Sequence, residues 1–367
     1  TVDGSFATLL TREQLRVGRG GDGTLTVRND GGVSADEIVI GPNQADPPDG
    51  AIGTVSVEGT GTEDPEAAHL SAGEGDLIVG ETGTGILTLA NEAFVGATRI
   101  LAGQEMGGDA RITVNASLLS AVDTFFVGAV DVVSEALLGA GEITLIDGDL
   151  GAELFILEAG SRLLGTGVVV SPTVIAYGEI SPGVTTEEAK GTAESLGTLR
   201  FEGDVTFEDA TLVIEVAGPD AFDIIEVTGN ATVTRTTINL RFVNDYTPAT
   251  GDQFEFLSSS GTVSLEDAQL EVEGLDAGFT FNLMEEGGTL MIITDEGMDT
   301  EGEGESEGAN EGECESEGTG EMPRGGCPAA ASSRPTTPEG DFLAVSMMLC
   351  VLFALRRANG KTHWKRG

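Results

Sequence analysis

Carboxylates are the only chemistry-bearing groups that this chain supplies in quantity. It holds 62 Asp and Glu against 18 Lys and Arg over 367 residues, with two His and three Cys, and its formal net charge is −44. Two carboxylates at a defined separation can act as acid and base on a neutral glycan, and carboxylate oxygens suit hard cations such as calcium. Here the pairs are so many that no spacing singles one out. A lyase of acidic sugars needs basic residues to hold the uronate, yet residues 1–295 carry only 11 of the Lys and Arg, with Lys190 their one lysine. So negative a body also disfavours nucleic acid and anionic lipid as partners. Residues 1–295 hold no GxSxG, HExxH or Walker pattern, and His69 is the body's single histidine, in a polar loop where solvation is its ordinary role. Cys314, Cys327 and Cys350 all lie beyond the body, so no disulfide framework holds it. These counts favour a body without catalytic activity, with a carboxylate-based glycan hydrolase as the alternative.

The elements that position these groups are set by a repeat. Leu15–Gly41 aligns without a gap on Leu77–Gly103 at an offset of 62 residues: Gly18 falls on Gly80, Gly23 on Gly85, Leu25 on Leu87, Asn29 on Asn91, Ile38 on Ile100. Apolar residues alternate with small or polar ones inside each copy, as in Leu25 and Val27 or Ile38 and Ile40, which is the period of a strand. Gly-rich runs between them, such as Gly18–Gly23, are turn chemistry. Asn29 and Asn91 occupy one post-strand corner, where Asn caps a turn and tolerates the left-handed backbone. One such coil cannot bury its own apolar face, whereas stacked coils bury each other's. The repeat predicts an all-β solenoid, with the offset spanning about three coils of roughly 20 residues. About 14 coils at roughly 4.8 Å would make a rod of roughly 65–70 Å. Aromatics at 5% and Gly at 54 residues fit a thin aliphatic bore rather than a globular core.

Four regions follow along the chain. Residues 1–295 form the β body, with 42–76 read as a loop or insertion carried on one coil, and with a strand-like GTVSVEG (Gly53–Gly59) inside it. Past Ser181-Pro182-Gly183 the alternation strengthens (Leu199, Phe201; Leu212, Ile214, Val216; Phe254, Phe256), which predicts half-buried strands. Residues 296–341 are an acidic, Gly- and Ser-rich linker that cannot offset its chain entropy by burial. Calcium is the one ion its carboxylates would suit, without any specified loop, and no other cofactor is expected. Residues 342–355 (FLAVSMMLCVLFAL) are a short hydrophobic helix of about 21 Å, against about 30 Å of hydrocarbon. Its anchor positions are Phe342, Leu343, Leu349, Leu352, Phe353 and Leu355, followed by Arg356 and Arg357. Residues 356–367 are a basic tail expected on the cytoplasmic side. Thr1 follows a removed signal peptide or opens a fragment.

Two resemblances rest on quoted residues. Ser181-Pro182-Gly183, Gly197-Thr198-Leu199, the run Asp223–Gly229 (DIIEVTG), Pro248, and Gly251-Asp252 with Phe254 resemble the C-terminal part of autotransporter passenger domains and of related surface proteins with PEP-CTERM-type tails. The likeness covers roughly residues 15–295 and implies a right-handed parallel β-helix on an exported protein. No membrane barrel follows, which departs from a self-exporting autotransporter. Gly325-Gly326-Cys327, then the apolar segment, then the basic cluster resemble the Gly-Gly-Cys class of prokaryotic C-terminal sorting signals. That likeness implies processing or lipid attachment at Gly326 and Cys327 by a sorting protease. A plain C-terminal membrane anchor is the alternative. The partners implied are that protease, extracellular glycan or other surface components, and the membrane through the C-terminal segment, with the chain at the cell surface.

Overall fold

The computed structural model describes residues 1–4, 7–42, 51–60, 68–105, 107–130, 137–183, 196–275 and 279–296. All fall in the first of the two units into which the chain divides, Thr1–Glu301. The sorting and anchor residues Gly325, Gly326, Cys327, Phe342, Leu343, Leu349, Leu352, Phe353, Leu355, Arg356 and Arg357 lie outside the described residues, as do the linker from 297 onward and the basic tail.

Among the described residues there are strands and no helix. Nearly every strand pairs in parallel with the strand three places on, so the chain winds a three-faced solenoid. The second rung shows the plan: Gly23–Arg28 on face one, Gly32–Ser34 on face two, Glu37–Ile40 on face three. Arg162–Ala176 covers all three faces of one rung in a single strand that bends at its corners.

Period-two alternation turns every second side chain into the bore, and parallel pairing stacks those side chains rung on rung. On face one the register builds an aliphatic column: Leu25, Val55, Leu87, Ile112, Ile143, Leu163, Ile180, Leu212, Ile238. Each is 9% exposed or less. Each such side chain contributes roughly 1.5–3 kcal/mol by burial, so the column as a whole holds the rungs in place. Face three carries a second column in which Phe125 and Phe155 stack with ring centroids 5.4 Å apart.

The offset of 62 residues is two rungs, not three. Gly23 pairs with Gly53 and Gly53 with Gly85, in steps of 30 and 32 residues. The missing middle rung lies in 42–76, which was expected as a loop or insertion. That stretch supplies Ile52–Glu58 and His69–Ser71 and opens Asp76–Val79. The strand-like Gly53–Gly59 was legible there, but its turn-rich flanks and long connections hide that it opens a full rung. Rungs therefore use more residues than the expected 20 at most turns. The described strands complete ten three-faced rungs, from Val2 to Glu266, rather than 14. At about 4.8 Å per rung the stack measures about 45–50 Å.

Corners follow the sequence signals. Asn29 and Asn91 stand at φ 51° and 58° between faces one and two, so the left-handed corner is where Asn was expected. Gly18 and Gly80 stand at φ 88° and 67° between face three and the next rung. There, backbone from the following rung comes too close for any Cβ.

The far end is closed differently. Phe279–Glu286 and Thr289–Glu296 form an antiparallel hairpin whose second strand pairs antiparallel with Gln253–Ser259. Phe242 gathers Phe254, Tyr246 and Phe281 within 5.5–6.1 Å. The strands predicted as half-buried are so on their inward side. Thr211–Gly218 differs, with Val213 and Glu215 each 1% exposed on its outward side. The chain doubles back there, pairing Val216 with Phe222.

Candidate functional site

Function on a filled solenoid has to sit on its outer faces, since the bore is occupied by side chains. Face one is polar and charge-paired. Arg162 lies between Glu142 and Glu179 in the register and bonds both, at 3.1 Å and 2.8 Å. Thr26, Ser56, Thr88, Thr113 and Thr144 stack beside that column on five successive rungs. Such cross-strand Thr pairs stabilise a sheet by fractions of a kcal/mol.

Face two differs in kind. Through the first seven rungs its outward positions form two columns. One reads Thr8, Gly32, His69, Phe94, Leu118, Asp149, Val168. The other reads Leu10, Ser34, Ser71, Gly96, Ser120, Gly151, Val170. Asp149 is the only carboxylate among these fourteen positions, on a chain of net charge −44. Burial, and after it the charge of Glu202, raises the Asp149 carboxyl above its ordinary value. Phe94 is 40% exposed, Leu118 39% and Val170 43%. The Phe94 ring lies over Gly96, its Cζ 2.8 Å from where a Cβ would stand, and the His69 ring lies over Gly32 in the same way. Glycine at these two positions gives the rings their seats. The result is a largely uncharged surface that carries one phenyl ring, with serine hydroxyls on adjacent rungs at Ser34 and Ser71 and again at Ser120 beyond Gly96. It can stack an apolar ring face and share hydrogen bonds without a charge.

The other sequence-marked residues are structural joints. Asn29 donates to Asp3 Oδ1 at 2.7 Å across the corner. Asp22, in the glycine-rich run, accepts the Ile52 amide at 3.1 Å and so ties one rung to the next. Asp252 of the Gly251-Asp252 pair accepts the Tyr246 hydroxyl at 2.7 Å and the Ala249 amide at 2.8 Å. Asp223, which opens DIIEVTG, is 0% exposed. Among the described residues no group of three or more His, Cys, Asp or Glu is arranged to hold a metal ion.

Sequence reasoning missed one cluster. Glu158, Tyr177 and Glu208 directly follow the in-register residues Leu157, Ala176 and Phe207, and so occupy one corner on three successive rungs. Burial raises the Glu158 carboxyl, and burial with the nearby Glu208, Glu158 and Asp209 raises the Tyr177 hydroxyl. Arg235 bonds both Glu208 and Asp209 at 2.8 Å. Only the shared offset from neighbouring strands could have brought these residues together. Compared with known proteins, the chain matches no family model and no curated protein.

Proposed function

We propose that the chain is an exported, surface-tethered structural or adhesin-like protein that binds through the outer side of face two and has no catalytic activity. The observation that carries this reading is the loss of charge from that face over seven rungs of a strongly acidic chain. Interfaces deplete charge at their centres, and a largely uncharged surface with one phenyl ring suits a neutral glycan.

The winding is right-handed, as parallel crossover connections nearly always are. Residues 342–355 form a short apolar helix, with Arg356 and Arg357 on the cytoplasmic side, and Gly325-Gly326-Cys327 is the processing point for a sorting protease. The order of linker, small-residue-and-Cys motif, apolar segment and basic cluster supports this placement.

A second reading, a carboxylate-based glycan hydrolase, has the Glu158–Tyr177–Glu208 corner behind it. Two rungs separate the carboxyls by about 9.6 Å at the backbone, close to the roughly 6.5–9.5 Å of inverting enzymes. A panel of neutral glycans, tested for binding and for cleavage by the whole chain, separates the two. Binding without cleavage, abolished by Phe94→Ala, is the expected result. Cleavage that disappears in Glu158→Gln and Glu208→Gln would overturn it.

A further inference from the structure

The uncharged strip on face two has ends, margins and an area, and each restricts what can lie on it. Its two outward columns start at Thr8 and Leu10 on the first rung. They stop at the eighth, where Arg200 and Glu202 take the two positions and pair at 3.0 Å. Phe94 stands on the fourth of the seven rungs between, with Leu10, 68% exposed, at one end and Val170 at the other. Both margins are acidic. Asp36, Glu74, Asp123 and Glu153 follow the face-two strands on the side of face three, Glu92 and Asp147 precede them on the side of face one, and all six are exposed.

The area excludes a folded partner. Two outward positions on one strand lie about 7 Å apart, and six steps between seven rungs span about 29 Å. With a side chain's width added all round, the strip covers about 400–500 Å². A stable protein–protein interface takes about 800 Å² from each partner. The strip is thus about half of what a folded protein, a second copy included, would need, and it fits a single extended chain.

Among extended chains a peptide matches poorly. The strand amides and carbonyls beneath face two are taken up by rung-to-rung pairing, so the face offers no sheet edge. Each peptide unit would need partners for its N–H and C=O, against strip hydroxyls only at Thr8, Ser34, Ser71 and Ser120. A pyranose chain matches better. Its rings turn apolar C–H faces to one side, suited to Phe94 and Leu118, and carry hydroxyl donors along their edges, suited to carboxylate acceptors. Anionic sugars would meet the acidic margins with like charge.

Resting on the binding role given above, we propose that face two holds a linear, uncharged glycan laid along the solenoid axis, with ring faces over the two columns and hydroxyl edges toward the bordering carboxylates. The rungs set the length recognised, about 29 Å.

Calorimetric titration of the full chain with β-1,4-linked glucose, mannose and xylose oligomers of graded length tests this. Affinity should climb by at least about tenfold from the dimer upward and level off once the oligomer outgrows about 29 Å. Leu10→Glu and Val170→Glu, three rungs to either side of Phe94, should each weaken the longest oligomers about tenfold and leave the dimer unchanged. Phe94→Ala should weaken every length. The length series needs no variant, so it decides the point even where a substitution disturbs the fold. Uronate-bearing oligomers, and an uncharged Gly- and Ser-rich peptide of equal length, should bind at least about tenfold more weakly. Affinity already complete at the dimer, or insensitive to both end substitutions, would overturn the axial placement alone. Equal affinity for the peptide or the uronates would overturn the uncharged glycan as ligand. Failure of every oligomer to bind would overturn the binding role itself.

Discussion

Replacing Gly80 with alanine sets a known cost against a matched control. Gly80 follows Asp76–Val79 at φ 67°, where the third rung passes into the fourth, and a Cβ there would stand 2.6 Å from the carbonyl carbon of Asp109, which opens the fifth. An L-residue in the left-handed region costs about 1–2 kcal/mol. Relieving the overlap means moving backbone, because Asp109 presents main chain and not a flexible side-chain end; overpacking of this kind costs about 1–3 kcal/mol. The sum is about 2–5 kcal/mol. The Gly80 amide also donates to Ile40 at 2.8 Å, so a shift away from Asp109 strains the rung on the other side. Gly21 belongs to the same kind of glycine-rich turn, but no heavy atom lies within 4 Å of its would-be Cβ and its φ is not positive. Gly21→Ala should be neutral, or stabilising by up to about 1 kcal/mol through the unfolded chain. Urea unfolding followed by circular dichroism gives both values, with exchange at rungs three to five as a local check, since stacked repeats can depart from two-state behaviour. Unfolding free energies for the two variants that agree within about 0.5 kcal/mol would refute the corner argument.

Two further outcomes test the bore and the charged corners. Leu87→Ala opens a cavity in the face-one column, where Leu87 is 0% exposed between Val55 and Ile112, and should cost about 2–5 kcal/mol by urea titration. Hydrogen bonds from Arg235 hold the Asp209 carboxyl below its usual range. A depressed carboxyl stabilises the fold above the unfolded value near 3.9 and loses that contribution as pH falls through the folded one. The urea midpoints of the wild-type chain and Arg235→Gln should therefore converge between pH 5 and pH 2.

What the sequence disclosed and withheld divides along the strand. Inward positions were readable because they repeat with period two and have one chemistry: Leu25, Ile38, Phe201 and Leu212 all point into the bore as their spacing required. Asn29 and Gly80 were readable because a left-handed corner restricts which residues fit. Rung length was not readable. Nothing in Pro42–Asp76 fixes the length of chain between Ile40 and Ile52, so the strand-like Gly53–Gly59 was assigned to an insertion rather than to the opening of a rung. Outward neighbours were equally hidden, because Phe94 and Leu118, 24 residues apart, become adjacent only through a register that side chains on the other face decide. Asp223 was visible as the first residue of a motif, but its burial depends on the chain doubling back at Val216 and Phe222.

Parallel stacking gives an acidic chain a specific problem. Outward residues on successive rungs are about 4.8 Å apart, so carboxylates repeated in register would repel along the whole column. Face one meets this by interposing arginine: Arg162 separates Glu142 from Glu179. Corner and edge carboxylates are met in the same way, Asp76 by Arg99 and Asp209 by Arg235. Such exposed pairs are each worth about 0–1 kcal/mol, which is enough to cancel repulsion without adding much stability. Face two has the same spacing and could have used the same device, yet its first seven rungs carry one carboxylate and no arginine. Stacking alone therefore does not account for its neutrality. That surface, with one carboxylate in fourteen outward positions and with Gly32 and Gly96 beneath two rings, is the feature on which the proposed binding role rests.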